Sequence, residues 1–242
     1  MIPKKIHYCW FGKKPKPERV LKYIDTWKKY LPDYEIKEWN EDNFDVNRLK
    51  FTKEAYALKK YAFVSDVARI YALYTEGGIY LDTDIEIVKS FNPLLNNKSF
   101  VGWEDNRLGT GVMASIKGTK WLKDFLDIYK EKEFIKYSGK LNEVPNPYLL
   151  CNILKSFGLI LNHKNDILDD DIAVYQIDYL CAHNLEKQTY IITENTFSIH
   201  HYEGSWCKNL TILQKIYYRI RCIITKLRLS IINNNQIVKC HQ

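Results

Sequence analysis

The sequence predicts an α/β fold, and three observations predict it. A β-branched and aromatic run, KIHYCWFG, is followed by an amphipathic stretch, ERVLKYIDTWKKYLP, and then by a second short run, YEIKEWN. Strand, helix and strand at that spacing form a unit with parallel strands. Further on, GGIYLDTDIEI places Ile79, Leu81, Ile85 and Ile87 at alternate positions, as a half-buried strand does. Finally, 242 residues with 46% hydrophobic and 27% charged side chains suffice for a substantial core.

Taken in order, the first run closes on Gly12 and the Lys/Pro-rich turn KKPKP. The first helix carries Val20, Leu21, Ile24, Trp27 and Leu31 on its apolar face and stops at Pro32. From Thr52 the chain reads as helix, in one or two pieces, until Gly77 and Gly78 end it. The aspartate strand follows, then a turn at FNPLL, a strand at SFVGWEDN and a strand pair or loop at GTGVMASIKG. TKWLKDFLDIYKEKEF and VPNPYLLCNILKSFG read as helices, and DIAVYQI, TYIIT and FSIHHY as short strands. LTILQKIYYRIRCIITKLRLSII spaces its apolar residues helically with Lys and Arg between them. The organisation expected is a domain over residues 1–206 and a basic amphipathic helical tail over 207–242.

Charge narrows the function. The formal net charge is +7, and the segment from Trp206 to Gln242 holds seven basic residues and no acid. Residues 1–205 are therefore neutral overall, which argues against a basic nucleic-acid-binding domain. The tail reads as an interfacial helix on an anionic membrane surface, or as a helix docked on the protein. MIPKKIHYCWFG reads as neither signal peptide nor anchor, and no run of eighteen apolar residues occurs in the sequence. Six cysteines without a Cys-x-x-Cys pair fit a reducing compartment. The expected location is cytoplasmic, peripherally associated with the inner face of the cell membrane.

On one strand, Tyr80, Asp82 and Asp84 would share a face, with the carboxylates starting roughly 6.5–7 Å apart. Such a pair suits a hard divalent cation and a phosphate-bearing ligand, although a solvated strand face would look the same. Asp66 and Arg69, a helical turn apart in the apolar stretch AFVSDVARIYALY, either close on each other as an ion pair or face a polar ligand. Trp10 shares a face with Ile6 and Tyr8, so packing alone could account for it. His200 and His201 lie in FSIHHYEGSW, where adjacent strand residues diverge.

These residues carry a resemblance. The pattern S-D-x-x-R-x-x-x-L-x-x-x-G-G-x-Y-x-D-x-D runs through Ser65, Asp66, Arg69, Leu73, Gly77, Gly78, Tyr80, Asp82 and Asp84. Together with KIHYCWFG and HHYEGSW it resembles the DXD-containing glycosyltransferases of family 32, over residues 1 to about 206. The resemblance implies a GT-A fold, a Rossmann-like nucleotide-binding sheet with flanking helices. It implies a hexosyltransferase that retains anomeric configuration and uses Mn²⁺ or Mg²⁺, a nucleoside-diphosphate sugar donor (UDP-sugar favoured) and a glycan or glycolipid acceptor, in surface polysaccharide synthesis. Asp84, Arg69 and Asp82 are the implied catalytic residues. Asp84 and His201 are the implied metal ligands, imidazole suiting Mn²⁺ better than Mg²⁺. Trp10, Asp66, Arg69, Tyr80, Asp82, Asn146, Ser205 and Trp206 are the implied donor-binding residues; Asn146 stands in an Asn-Pro where many relatives have Gly-Pro. GTGV, over 109–112, falls where relatives line the sugar pocket, as a Gly-rich bend would. The competing readings are a hydrolase using the two aspartates as acid and base, which two same-face residues of one strand would not readily serve, and a non-catalytic sugar-binding module.

Overall fold

The computed structural model describes residues 1–184 and 189–203. Strand β1 (Lys5–Cys9), helix α1 (Glu18–Tyr30) and strand β2 (Glu35–Trp39) are followed by helices α2 (Lys50–Ala57) and α3 (Tyr61–Glu76). Strands β3 (Gly78–Leu81), β4 (Ile85–Ile87), β5 (Ser99–Glu104) and β6 (Arg107–Ser115) come next. Helices α4 (Lys120–Lys130) and α5 (Asn146–Lys155) lead to β7 (Asp166–Leu168) and β8 (Ile172–Tyr175). A short helix α6 (Ile177–Leu180) and strands β9 (His183–Asn184), β10 (Thr189–Tyr190) and β11 (Ser198–His200) complete the described chain. The basic tail and the expected domain boundary at residue 206 lie outside the described residues. Among those residues no helix is long and apolar enough to cross a membrane.

The main sheet has the order β2-β1-β3-β6-β5-β8-β7. β1 pairs in parallel with β2 and β3, and β5 with β8, while β6 and β7 run against their neighbours. Strand alternation then divides the core in two. Ile6, Tyr8, Ile79, Leu81, Val112 and Ala114 pack on one face with Val20, Ile24 and Trp27 of α1. Cys9, Tyr80, Met113 and Val174 pack on the other with α2, α3, α4 and α5. Leu21, expected on the buried side of α1, is 47% exposed instead. The buried stripe follows Val20, Ile24 and Trp27, and Leu21 sits about 100° round the helix from Val20.

The end of α3 shows why two glycines follow it. Gly77 caps the helix at φ 69°, a left-handed conformation that favours glycine. A Cβ on Gly78 would lie 2.6 Å from the Lys5 carbonyl oxygen and 3.1 Å from His7 Nε2. His7 is fully buried; its Nε2–H donates to the Gly77 carbonyl (2.7 Å), and its Nδ1 accepts from Trp39 Nε1–H (3.0 Å). The imidazole thereby joins β1, β2 and the entry to β3, and burial, the largest influence on it, keeps its pKa below the usual histidine value.

The aspartate stretch is not the single strand its alternation suggests. β3 ends at Leu81, Asp82-Thr83-Asp84 forms a turn closed by Ile85 N–H to the Asp82 carbonyl (3.1 Å), and β4 leaves the main sheet to pair with β11. Helix α1 holds the far edge of β4. Trp27 Nε1 donates to the Ile85 carbonyl (2.7 Å), and Thr26 Oγ1 accepts from Ile87 N–H (3.0 Å). Trp27 is fully buried, and emptying such a site typically costs about 3–5 kcal/mol.

Candidate active site

The carboxyl ends of the aligned strands are where open α/β sheets place their ligands. Ile6 lies opposite Ile79 and His7 opposite Tyr80, so the register carries Trp10, just past β1, to the level of the Asp82–Asp84 turn. Glu104 ends β5, which runs in the same direction.

Asp82 is held from the helix side. Its Oδ1 accepts from the Tyr80 hydroxyl (2.9 Å) and its Oδ2 from Arg69 Nη1 (3.1 Å). Arg69 also donates to the Thr110 carbonyl (2.7 Å) and the Ser65 carbonyl (3.3 Å), and its Nη2 lies 3.3 Å from Asp66. Every guanidinium nitrogen therefore has a protein partner. The closed ion pair and the functional cluster turn out to be one network, in which Arg69 organises two carboxylates rather than standing free for a phosphate. Burial pushes the Asp66 carboxyl up to about 6 even though Arg69 pulls it down. Burial likewise raises Asp82, aided by the neighbouring Asp84 charge and opposed by Arg69.

Asp84 is held from the other side. Strand register sets His200 opposite Ile85, and His200 Nε2 lies 3.4 Å from Asp84 Oδ1. Glu203 N–H donates to Asp84 Oδ2 (3.0 Å). Burial opposes the charge on Asp84, but the His200 contact and the backbone donor outweigh it and keep the carboxyl below its ordinary value. For His200 itself burial disfavours the charged ring, yet Glu104 and Asp84 on its two sides push it up to about 10.

Several residues singled out from the sequence fall elsewhere. The imidazole beside the aspartates is His200, not His201. His201 Nε2 is 2.8 Å from Glu86 and its ring stacks on Tyr23 at 4.8 Å, because the two histidines leave β11 on opposite sides. Tyr80 is 1% exposed, and its contribution is the hydroxyl that holds Asp82. Asn146, also fully buried, accepts from the Tyr129 hydroxyl and donates to the Asp66 carbonyl (2.8 Å), so its amide braces α3 against α4. Trp10 is half-buried, with Nε1 donating to the Lys14 carbonyl (2.6 Å). Gly109 to Val112 is no bend but the middle of β6, alongside the register shift in β5. Ser205 and Trp206 lie outside the described residues.

Sequence reasoning passed over Glu104, Glu203 and the reason for Gly111. A Cβ on Gly111 would lie 3.0–3.2 Å from the His200 ring and 3.3 Å from Asp82 Oδ2, so the missing side chain is what lets the three groups close up. Asp82, Asp84 and His200 each offer a ligand atom, all within 4.8 Å of one another. Two carboxylates and an imidazole form a hard donor set with one borderline member, which fits Mn²⁺ or Mg²⁺ and leaves coordination positions for phosphate oxygens.

Residues 17–101 match the family described as "Glycosyltransferase sugar-binding region containing DXD motif". The matched stretch makes up about a third of the chain. The region includes Asp66, Arg69, Asp82 and Asp84, while His200 and Glu203 reach it from outside. An initiation-specific alpha-1,6-mannosyltransferase of Candida albicans is 26% identical over 141 residues, covering 54% of this chain and 36% of the relative. Inositol phosphoceramide mannosyltransferase 3 of Schizosaccharomyces pombe is 30% identical over 131 residues, covering 50% and 35%. The chain thus spans about a third of the length of these relatives. The solved PaToxG glycosyltransferase superposes with a TM-score of 0.50 at 25% identity, over 64% of this chain and 69% of that one. The main sheet and its flanking helices have the GT-A type of fold.

Proposed function

We propose that the chain is a metal-dependent, retaining hexosyltransferase that moves a sugar from a nucleoside-diphosphate sugar, UDP-linked by preference, to a hydroxyl of a glycan acceptor. The observation that carries this reading is the convergence of Asp82, Asp84 and His200 within 4.8 Å at the carboxyl end of the sheet. A hydrolase would need two carboxyl groups flanking the scissile bond; here Asp82 and Asp84 lie on one side, within 4.8 Å of each other and of His200.

In this reading Asp84 and His200 are the cation ligands. A divalent cation held there would offset the negative charge gathering on the departing diphosphate. The chain's own groups set the stage for that event. Arg69 and Tyr80 fix Asp82 so that its carboxylate can accept hydrogen bonds from ribose or sugar hydroxyls. Asp66, kept next to Arg69, offers a second acceptor for a sugar hydroxyl. The exposed part of Trp10, at the end of β1, suits stacking on a nucleobase. Retention of configuration follows the family resemblance: the acceptor hydroxyl enters on the face from which the diphosphate leaves. A lipid-linked acceptor in surface polysaccharide synthesis, and a place on the inner face of the cell membrane, rest on the basic segment 207–242 as read from its sequence.

The test is nucleoside-diphosphate release from a panel of UDP- and GDP-sugars with Mn²⁺, Mg²⁺ or EDTA. Metal-dependent release from one donor supports the proposal and names the donor. Failure of every nucleotide to bind in any metal would overturn it. A chain ending at Cys207 should keep that release while losing liposome binding, if the tail is an anchor.

A further inference from the structure

His200 belongs to two groups of metal-capable side chains. One is Asp82, Asp84 and His200; the other is Glu104, Cys181 and His200. Its ring cannot turn to both with the same nitrogen: Nε2 faces Asp84 at 3.4 Å, and Nδ1 faces Glu104 Oε1 at 3.1 Å. The second group is poorly made for a metal. Cys181 is 2% exposed, burial pushes its thiol up to about 12, and its Sγ is already in contact with the Tyr202 hydroxyl at 3.2 Å.

Glu104, by contrast, is placed with some care. It ends β5 and is followed by the tight turn into β6, where Gly109 lies directly beneath it. A Cβ on Gly109 would come within 2.1 Å of Glu104 Oε1 and 2.2 Å of its Cδ. The carboxylate occupies the space that a side chain at 109 would take. The Tyr202 ring stacks on that of His200, centroids 3.8 Å apart, so the imidazole can neither tilt nor flip without losing a partner.

We propose that Glu104 is a positioning residue for the cation site: its carboxylate accepts the His200 Nδ1–H and so commits Nε2 to the point shared by Asp82 and Asp84. This rests on the reading of Asp84 and His200 as cation ligands. A carboxylate behind a ligating imidazole fixes its tautomer and orientation and makes it a better ligand, and losing it commonly costs 10–100-fold in metal affinity. Cys181 takes no part in holding the metal.

The experiment measures Mn²⁺ affinity by electron paramagnetic resonance of the free ion, on the full chain, without donor or turnover. Glu104→Met fills similar space but accepts no hydrogen bond; it should weaken Mn²⁺ binding about 10–100-fold. Glu104→Gln keeps a carbonyl acceptor and should recover much of that loss, which a purely packing role would not produce. Gly109→Ala leaves the glutamate in the chain but pushes it off His200, and should reproduce the Glu104→Met defect. Circular dichroism and a thermal melt confirm that each variant is folded, and Gly109→Ala keeps the question answerable if Glu104→Met is not. Cys181→Ser should bind Mn²⁺ as wild type does. If Glu104→Met and Gly109→Ala bind Mn²⁺ within twofold of wild type while His200→Ala and Asp84→Ala do not, Glu104 has no such role. If His200→Ala and Asp84→Ala also bind normally, the cation reading underneath is what has failed.

Discussion

Asp82 and Asp84 stand two residues apart and live in opposite surroundings. Asp82 is gripped by its near neighbours in sequence, Tyr80 and Arg69, and burial raises its pKa. Asp84 is gripped by His200 and by the backbone of Glu203, more than a hundred residues away, and its pKa is lowered against the effect of burial. One aspartate is built into the wall of the domain; the other is completed only when β11 docks on β4. The lesson is that a short motif can join two structural problems with different solutions, one local and one global.

The largest effect is expected from removing the Asp84 carboxylate. Asp84→Ala should abolish metal-dependent nucleoside-diphosphate release, by about 10²–10³-fold or more, with little change in the melting temperature. Retained release in a steady-state assay would mean that Asp84 is not the working ligand. On the Asp82 side the damage should be to the fold. Arg69→Met strands Asp66 and Asp82 without their counter-ion, and denaturant unfolding should show a loss of about 3 kcal/mol.

The two histidines sharpen the contrast. His200→Ala should weaken Mn²⁺ binding at least tenfold, by the loss of one ligand, whereas His201→Ala, which cuts a contact to Glu86 and a stack on Tyr23, should leave it within about threefold. Tyr80→Phe is subtler. It removes a single buried donor to a carboxylate, so a loss of about 1.5 kcal/mol in stability, and a modest rise in donor KM, is expected.

The smallest effect lies away from the site. His7 is buried in its neutral form with both nitrogens engaged, and burial holds its folded pKa below the ordinary histidine value of 6.5. In the window between its lowered folded pKa and 6.5 the unfolded chain binds the extra proton, so His7's contribution is complete above pH 6.5 and falls as pH drops below it. The slope from this one group is at most about 1.4 kcal/mol per pH unit, measurable by urea titrations across that range.

The same contrast explains what could be read from the sequence. The parallel β1–α1–β2 unit, the paired helices α2 and α3 and the Gly77–Gly78 stop were legible because periodicity and caps are local signals. So was the grouping of Asp66, Arg69, Tyr80 and Asp82, all within one motif. The Asp82–Asp84 turn was not. Ile79, Leu81, Ile85 and Ile87 do share one core face, so the alternation was real, but it runs straight through a break in the backbone. Which histidine meets Asp84 depends on the β4–β11 register, and Glu104 on the hairpin that brings β5 alongside Gly109. Neither pairing has a local signature. Asn146 came in only through the resemblance; that its amide would bridge Tyr129 of α4 and the Asp66 carbonyl of α3 depends on how those helices pack, which has no local signature either.

What matters most is whether Asp84 and His200 hold one cation beside Asp82. The most direct measurement is a crystal structure of the protein with Mn²⁺ and UDP, with the metal located by its anomalous scattering. A single strong peak is expected at bonding distance from Asp84 and His200 Nε2, with Glu104 still on Nδ1. A peak coordinated by His201 and Glu86, or by Cys181 and Glu104, would contradict it.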